Sequence, residues 1–212
     1  RMVAGCPRTG ARGSRLAQGL VYIEAMEAGR MRVGLISDTH SPAMGVHPPE
    51  EVRRAFVGVD LILHAGDIYS SECLDWLEEI APVVGVEVPP APVIGDPRVV
   101  EKRVVEIEGY AIGLVHDLGM HGIDEVRPGA FARSWPSHLS IADSLASFFD
   151  GRRLDGVVFG HSHWEMAETH EGVLFVNPGS PTLPHQTRRL GTRSEEHTSE
   201  LQSHHDLVCR LL

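Results

Sequence analysis

The sequence has few cysteines and no long apolar segment. Its three cysteines, Cys6, Cys73 and Cys209, are widely spaced and form no CxxC pair. A disulfide framework and a zinc ribbon are therefore both disfavoured. No segment approaches the ~18 consecutive apolar residues of a membrane span, and residues 1–30 lack the apolar core of a secretory signal. These absences favour the reducing cytoplasm and predict no membrane association.

Basic residues are also scarce relative to acidic ones. Lysine and arginine number 19 against 29 aspartates and glutamates, which gives a formal net charge of -10. This negative charge argues against general affinity for nucleic acid or anionic membranes. It does not exclude a phosphate substrate, because bound metal cations reverse the charge locally.

Both ends of the chain differ from its middle. Residues 1–30 have little periodicity, although a weak helix over 14–28 is predicted. We expect Met31 to be the true start, with upstream translation in front of it. The segment that begins at Arg193 resembles the translation of a common sequencing adapter, and the alternative is a polar, disordered tail. We therefore expect a non-domain extension at 1–30, one domain at 31–192 and an artefactual tail at 193–212.

The middle of the chain alternates strand-like and helical patterns. Helices are predicted to open at Pro48–Glu51 and to be capped by Ser71 and Ser137. Apolar runs rich in Val and Ile predict strands at Val33–Ser37, Leu61–His64, Val83–Val86, Val104–Ile107, Ala111–His116, Gly156–Phe159, Glu165–Thr169 and Val173–Val176. The order predicts an α/β domain of two stacked, mainly β sheets covered by helices.

Carboxylate and imidazole side chains follow the ends of several predicted strands. One such residue alone is more often a cap or turn former, but open α/β sheets gather their ligands at the carboxyl ends of strands. In an extended backbone, residues two apart point to the same side. We therefore predict a site for one or two divalent cations built from Asp38, His40, Asp67, His116, His161 and His163.

At these positions the chain resembles the calcineurin-like metallophosphoesterases, most closely their small bacterial and archaeal phosphodiesterase branch. The resemblance covers roughly residues 31–192 and implies a four-layer sandwich fold. The segments that carry it are Asp38-Thr39-His40, His64-Ala65-Gly66-Asp67, Leu114-Val115-His116-Asp117, Gly160-His161-Ser162-His163 and Asn177-Pro178-Gly179-Ser180.

The resemblance also implies a role for each matching residue. The first metal would take Asp38, His40 and His163, and Asp67 would bridge to a second metal. The second metal would take Asp67 with His116 and His161. Supporting roles are implied for His64, Asn177 and Ser180.

One family element is absent. The family has Gly-Asn-x-Asp after the third strand, and its Asn binds the second metal. This chain reads Gly85-Val86-Glu87-Val88 there, and it has no asparagine between residues 38 and 176. Glu87 and Asp96 are the replacement ligands that the sequence offers, so we expect a weaker second site.

The resemblance implies a metal-dependent phosphoesterase that hydrolyses small phosphodiesters or phosphate esters with a metal-activated water. Two divalent cations are expected, with Mn²⁺ favoured over Fe, Ni or Zn. The alternative is a catalytically weak or inactive phosphoesterase-like binding module. A structural metal protein without substrate is a third, less favoured interpretation.

Overall fold

The computed structural model describes residues 16–17, 20–22, 31–119 and 126–183. Its helices are α1 Glu50–Ala55, α2 Ser71–Glu78, α3 Phe131–Ser134 and α4 Ile141–Phe148. Its strands are β1 Leu16–Ala17, β2 Leu20–Tyr22, β3 Val33–Ile36, β4 Leu61–His64, β5 Val83–Val86, β6 Val99–Val100, β7 Lys102–Ile107, β8 Tyr110–Val115, β9 Gly156–Val158, β10 Met166–His170 and β11 Val173–Asn177.

The strands form two sheets, and the parallel strands in each sheet bring their carboxyl ends to the same edge. The smaller sheet has the order β3-β4-β5-β6 and is parallel throughout. The larger has the order β1-β2-β7-β8-β9-β11-β10, and within it β8, β9 and β11 are mutually parallel. Because parallel strands end at the same edge of a sheet, the loops after β3 and β4 meet, as do those after β8 and β9.

Three apolar layers hold these elements together. Leu63 and Leu114 belong to the layer between the sheets. Leu74 of α2 belongs to the layer that covers the outer face of the smaller sheet. Leu145 of α4 packs in the third layer with Phe175 of the larger sheet. The predicted four-layer sandwich of helices and two sheets is therefore confirmed.

The eight predicted strands agree with the observed ones within two residues at each end, and α1 begins at Glu50 as predicted, but both predicted capping serines are wrong. The cap of α2 is Ser70, whose hydroxyl accepts from the Cys73 N–H at 3.3 Å, and the cap of α4 is Ser140, which accepts from the Asp143 N–H at 3.2 Å. Ser71 and Ser137 were therefore the wrong capping residues. A cap must have its oxygen over the N–H two or three residues on, and the sequence offered neighbouring serines for that role.

The N-terminal region also departs from the predicted helix over 14–28. Residues 16–17 and 20–22 are strands, and β2 pairs in parallel with β7. Pairing with a preformed sheet edge overrides weak helical periodicity, because it satisfies the backbone groups of the short segment. The predicted tail at 193–212 lies outside the described residues. Within the described part of the chain, no helix has the length and apolarity that a bilayer crossing requires.

Candidate metal centre

Three loops beyond strand ends share an unusual backbone conformation. Each contains two non-glycine residues, two positions apart, with φ between 50° and 67°. This left-handed region costs roughly 1–2 kcal/mol per residue and concentrates at functional sites. The pairs are Asp38 with His40, Asp67 with Tyr69, and His161 with His163. The extended backbone that the sequence suggested for the first and third pairs is therefore wrong, and paired left-handed residues shape these loops instead.

Two glycines allow the loops to approach each other closely. A Cβ on Gly66 would lie 2.3 Å from Nδ1 of His116, and one on Gly160 would lie 2.6 Å from Oδ2 of Asp38. Neither distance is compatible with a side chain. Gly66 belongs to the loop after β4 and Gly160 to the loop after β9, so these positions let the two sheets bring their loops together.

Four side chains form a compact group of metal-ligand type. One ligand atom from each of Asp38, His40, Asp67 and His163 lies within 4.8 Å of all the others. The Nε2 atoms of His40 and His163 are 3.1 Å apart, and Nε2 of His163 is 3.4 Å from Oδ1 of Asp38. Two atoms bound to one cation at about 2.1 Å stand roughly 3.0–3.5 Å apart, so this spacing fits a shared ion.

Backbone carbonyls orient two of the imidazole rings. Nδ1 of His163 donates to the carbonyl of Leu183, and Nδ1 of His116 donates to the carbonyl of Ala65, both at 2.8 Å. When the ring is neutral, a proton held on Nδ1 leaves Nε2 unprotonated. This is the arrangement in which histidine binds metals, with the second nitrogen held by a hydrogen bond.

Asp38 is a buried carboxylate with an unused oxygen. Its Oδ1 accepts from the backbone N–H of His161 at 3.0 Å, whereas Oδ2 has no hydrogen-bond partner among the described residues. Burial alone raises its pKa, but hydrogen bonds with His163 and Ser37 hold the pKa below its usual value. The same hydrogen bond with Asp38 raises the pKa of His163. A buried charge with a free lone pair fits a bound cation, which would satisfy it.

The remaining two predicted ligands lie beside this group. Nε2 of His116 is 3.6 Å from Oδ1 of Asp67, and the rings of His116 and His161 meet edge-on at 5.4 Å between centroids. Asp67, His116 and His161 also line one cavity of about 470 Å³. The structure thus brings all six predicted residues together, and Asp67 lies between the two histidine sets.

The two suggested replacement ligands occupy different environments. Glu87 is 1% exposed and lines the same cavity. Its oxygens accept from the backbone N–H groups of Ile68 at 2.8 Å, Val88 at 2.9 Å and Asp67 at 3.3 Å. Asp96 instead binds the Arg98 guanidinium through both oxygens, at 2.9 and 2.7 Å. That hydrogen bonding lowers the pKa of Asp96, and Asp96 is not among the residues that line the cavity.

The three residues implied as supports all hydrogen-bond to segments that carry candidate ligands. Asn177 donates to the carbonyl of Gly160 at 2.8 Å, next to His161. Ser180 donates to the carbonyl of Asp38 at 2.7 Å. Nε2 of His64 lies 3.1 Å from the Thr39 hydroxyl, and complete burial lowers the pKa of His64 to about 3, which keeps the ring neutral.

Sequence reasoning missed Tyr69. Its hydroxyl donates to Oδ1 of Asp67 at 2.7 Å, and its ring centroid is 5.8 Å from that of His40. The bond to Asp67 raises the pKa of Tyr69. The signal was available, because Tyr69 follows Asp67 by two positions, the same spacing that drew attention to the pairs Asp38/His40 and His161/His163.

Comparison with known proteins agrees with this geometry. The family model of the calcineurin-like phosphoesterase superfamily domain matches residues 31–194. A probable metallophosphoesterase of Methanothermobacter thermautotrophicus is 36% identical over 169 residues, covering 74% of this chain and 81% of the relative. Another, of Methanocaldococcus jannaschii, is 33% identical over 158 residues, covering 74% and 71%.

Solved structures support the fold. The structure of vacuolar protein sorting 29 from Cryptosporidium parvum superposes with a TM-score of 0.54 at 24% identity, covering 71% of this chain and 74% of that one. The family match and the group formed by Asp38, His40, Asp67 and His163 together support the binding of a divalent metal.

Proposed function

Because the chain belongs to the calcineurin-like phosphoesterase superfamily, we propose that it is a metal-dependent phosphodiesterase that hydrolyses small phosphodiesters. The observation that carries the proposal is the compact group of Asp38, His40, Asp67 and His163, with its orphaned carboxylate oxygen. The archaeal relatives, described as probable metallophosphoesterases, support ester hydrolysis. A cytoplasmic location is part of the proposal.

Two divalent cations, Mn²⁺ for preference, are the proposed cofactors. Asp38, His40 and His163 would hold the first, His116 and His161 the second, and Asp67 would bind both. Imidazole and carboxylate donors without a thiolate suit Mn²⁺, Fe²⁺, Ni²⁺ or Zn²⁺. The opposite directions of the Asp67 oxygens support the bridging role, since Oδ2 lies 3.6 Å from His40 and Oδ1 lies 3.6 Å from His116.

The residues of the chain bind and orient the reacting groups. Bound cations supply Lewis-acid polarisation of the phosphate and activation of the attacking water. Asp67, between the two histidine sets, positions that water. The carbonyls of Ala65 and Leu183 hold His116 and His163 in the tautomer that leaves Nε2 free. Fixed rings cost no reorganisation when substrate arrives, which favours reaction over binding alone.

A catalytically weak or inactive binding module is the second candidate, and the environment of Glu87 favours it. Three backbone N–H groups already occupy its oxygens. A carboxylate that organises the Asp67 loop in this way has less capacity to complete a second cation site. The module would then bind phosphate esters at the first cation without hydrolysing them.

Turnover of bis(p-nitrophenyl) phosphate, measured on protein of verified metal content, separates these candidates. We expect hydrolysis that requires Mn²⁺ and is abolished by a chelator and by Asp38→Ala. The matched control is Asp117→Ala, an acidic residue that lines the cavity but is not a proposed ligand, and it should retain turnover. Protein loaded with two equivalents of Mn²⁺ that binds the diester without cleaving it would exclude the enzyme and favour the binding module.

A further inference from the structure

The cavity beside the metal centre is lined by two chemically different sets of residues. Asp67, Glu87, His116, Asp117 and His161 supply carboxylates and imidazoles. The other set is apolar or aromatic and consists of Tyr69, from the loop after β4, and the four consecutive residues Val88, Pro89, Pro90 and Ala91. We call this second set the apolar wall. A phosphate group alone makes no favourable contact with an apolar surface of this kind.

The apolar wall is accessible to solvent. Tyr69 is 36% exposed and Val88 is 46% exposed, although both are large hydrophobic residues. Single exposed hydrophobic residues need no explanation. These two line the same cavity as three proposed ligands, and ligand sites commonly combine apolar lining with a few convergent polar groups.

The wall is also held in a fixed position relative to the metal centre. The Tyr69 hydroxyl is anchored on Oδ1 of Asp67 at 2.7 Å, and the Tyr69 backbone has a φ of 59°, in the sparsely populated left-handed region. Val88 is tied to Glu87, which accepts its backbone N–H at 2.9 Å. Consecutive prolines restrict the backbone that follows. A rigid surface of this kind can select among ligands without first being ordered.

We propose that the apolar wall binds the organic group of the phosphoester, so that this site prefers phosphodiesters carrying an aromatic or other flat apolar group over those with small alkyl groups. This inference rests on the proposed function, because it takes the phosphate to lie at the metal centre. Tyr69 offers its ring to the organic group, and Val88 with the two prolines extends the contact.

Binding tests the wall independently of turnover. Calorimetry on the Mn²⁺-loaded protein would compare diphenyl phosphate with dimethyl phosphate, which share the charged diester and differ only in their organic groups. We expect the diphenyl ester to bind more tightly. Because Tyr69→Ala removes an aromatic contact, we expect the ratio of the two affinities to fall about 5-fold in that variant. Val88→Ser removes a smaller apolar contact, so the ratio should fall there too, but by less.

Two further variants serve as controls. Tyr69→Phe keeps the ring and removes only the anchoring hydroxyl, so the ratio should fall less than in Tyr69→Ala. Val57→Ser replaces a valine that is 72% exposed just beyond α1, and it should leave the ratio unchanged. Equal affinity for the two esters, or a ratio unaffected by Tyr69→Ala and Val88→Ser, would overturn the inference.

Turnover decides the proposed function separately. Protein that prefers diphenyl phosphate but hydrolyses no aryl diester would support the proposed role of the apolar wall and contradict the proposed phosphodiesterase activity. Protein that hydrolyses aryl diesters but binds diphenyl and dimethyl phosphate equally would support the proposed enzyme and contradict the proposed role of the apolar wall.

Discussion

The two halves of the metal centre are built differently. On one side, Asp38, His40 and His163 form with Asp67 a group whose ligand atoms all lie within 4.8 Å. On the other side, His116 and His161 line an open cavity of about 470 Å³ with Glu87, whose oxygens are engaged by the backbone. The compact half is suited to hold a cation tightly. The open half is suited to exchange and to contact with substrate.

The largest expected effect comes from the residue that both halves share. We predict that Asp67→Ala loses nearly all diesterase activity and weakens both equivalents of Mn²⁺. Loss of a supporting partner of a metal ligand costs about 10–100-fold, so removal of the proposed bridging ligand should cost more than 100-fold in kcat. Activity assays and calorimetry on the folded variant would measure both effects.

Asp67→Asn provides the matched control, because it keeps the shape and one oxygen of the side chain. It should retain part of the affinity for the first equivalent of Mn²⁺ and lose binding of the second. Turnover unchanged in metal-loaded Asp67→Ala would contradict a mechanism with a shared bridging carboxylate.

The next effect is the inequality of the two cation sites. We predict that calorimetric titration with Mn²⁺ shows a first equivalent at least 10-fold tighter than the second, since the compact half has more ligands available to one ion. Mutation of His40 to Ala should weaken the first equivalent, and mutation of His161 to Ala the second. Two equally tight equivalents would remove the contrast and would indicate that Glu87 serves as a full ligand.

Glu87 allows a test confined to the open half. Glu87→Gln keeps the size of the side chain but turns one acceptor into a donor that faces a backbone N–H. An unsatisfied buried group costs about 1–3 kcal/mol, so we predict that the free energy of unfolding, measured by urea denaturation, decreases by this amount. The affinity for the second Mn²⁺ should decrease more than the affinity for the first. Glu79→Gln, which removes only an exposed pair with Arg53, should cost less than about 0.5 kcal/mol.

The contrast between the halves could be predicted in part from the sequence. The ligand types at strand ends, and the missing family asparagine after β5, indicated one strong and one weak site. The conformations of the loops could not be predicted, because left-handed φ at Asp38, His40 and Asp67 is stabilised by contacts with loops that follow other strands. One such contact is the bond from the Asp38 N–H to the Gly66 carbonyl at 2.8 Å, which exists only after β3 and β4 have paired.

A smaller effect is expected in the support of the compact half. Ser180 is buried, donates to the carbonyl of Asp38 and accepts from the N–H of Leu183 at 2.8 Å. We predict that Ser180→Ala loses about 1 kcal/mol of stability and weakens the first Mn²⁺ several-fold, leaving the second unchanged. Ser134→Ala, at an exposed helical hydroxyl, is the comparison variant. A selective loss of the second equivalent would contradict the assignment of Ser180 to the compact half.

The smallest effect concerns the end of the chain. The domain boundary at Thr192 is a proposal, as is the artefactual origin of 193–212. We predict that a chain ending at Thr192 binds both equivalents of Mn²⁺ as the full chain does, and that its thermal midpoint changes little. A large drop in the midpoint would show that residues 193–212 belong to the folded domain.

Sequence reasoning was more reliable for strands than for polar detail, and the helix caps show why. All four residues of Leu61–His64 are buried, and a short, continuous apolar run of this kind is the recognisable pattern of a strand covered on both faces. A serine at a helix start has several near-equivalent neighbours, and only the final backbone decides among them. Tyr69 was missed for a different reason: its spacing from Asp67 matches that of the ligand pairs, but tyrosine is not a typical metal ligand.

The origin of the ligands has a consequence for folding. Asp38 and Asp67 follow strands of the smaller sheet, whereas His116, His161 and His163 follow strands of the larger one. A cation bound among them therefore links the smaller sheet to the larger one. The concentration of free metal should then determine how often the two sheets separate. At a concentration 100 times the dissociation constant, such linkage adds about 2.7 kcal/mol to the folded state. Chelation should thus increase amide hydrogen exchange along the apolar layer between the sheets, far from any ligand.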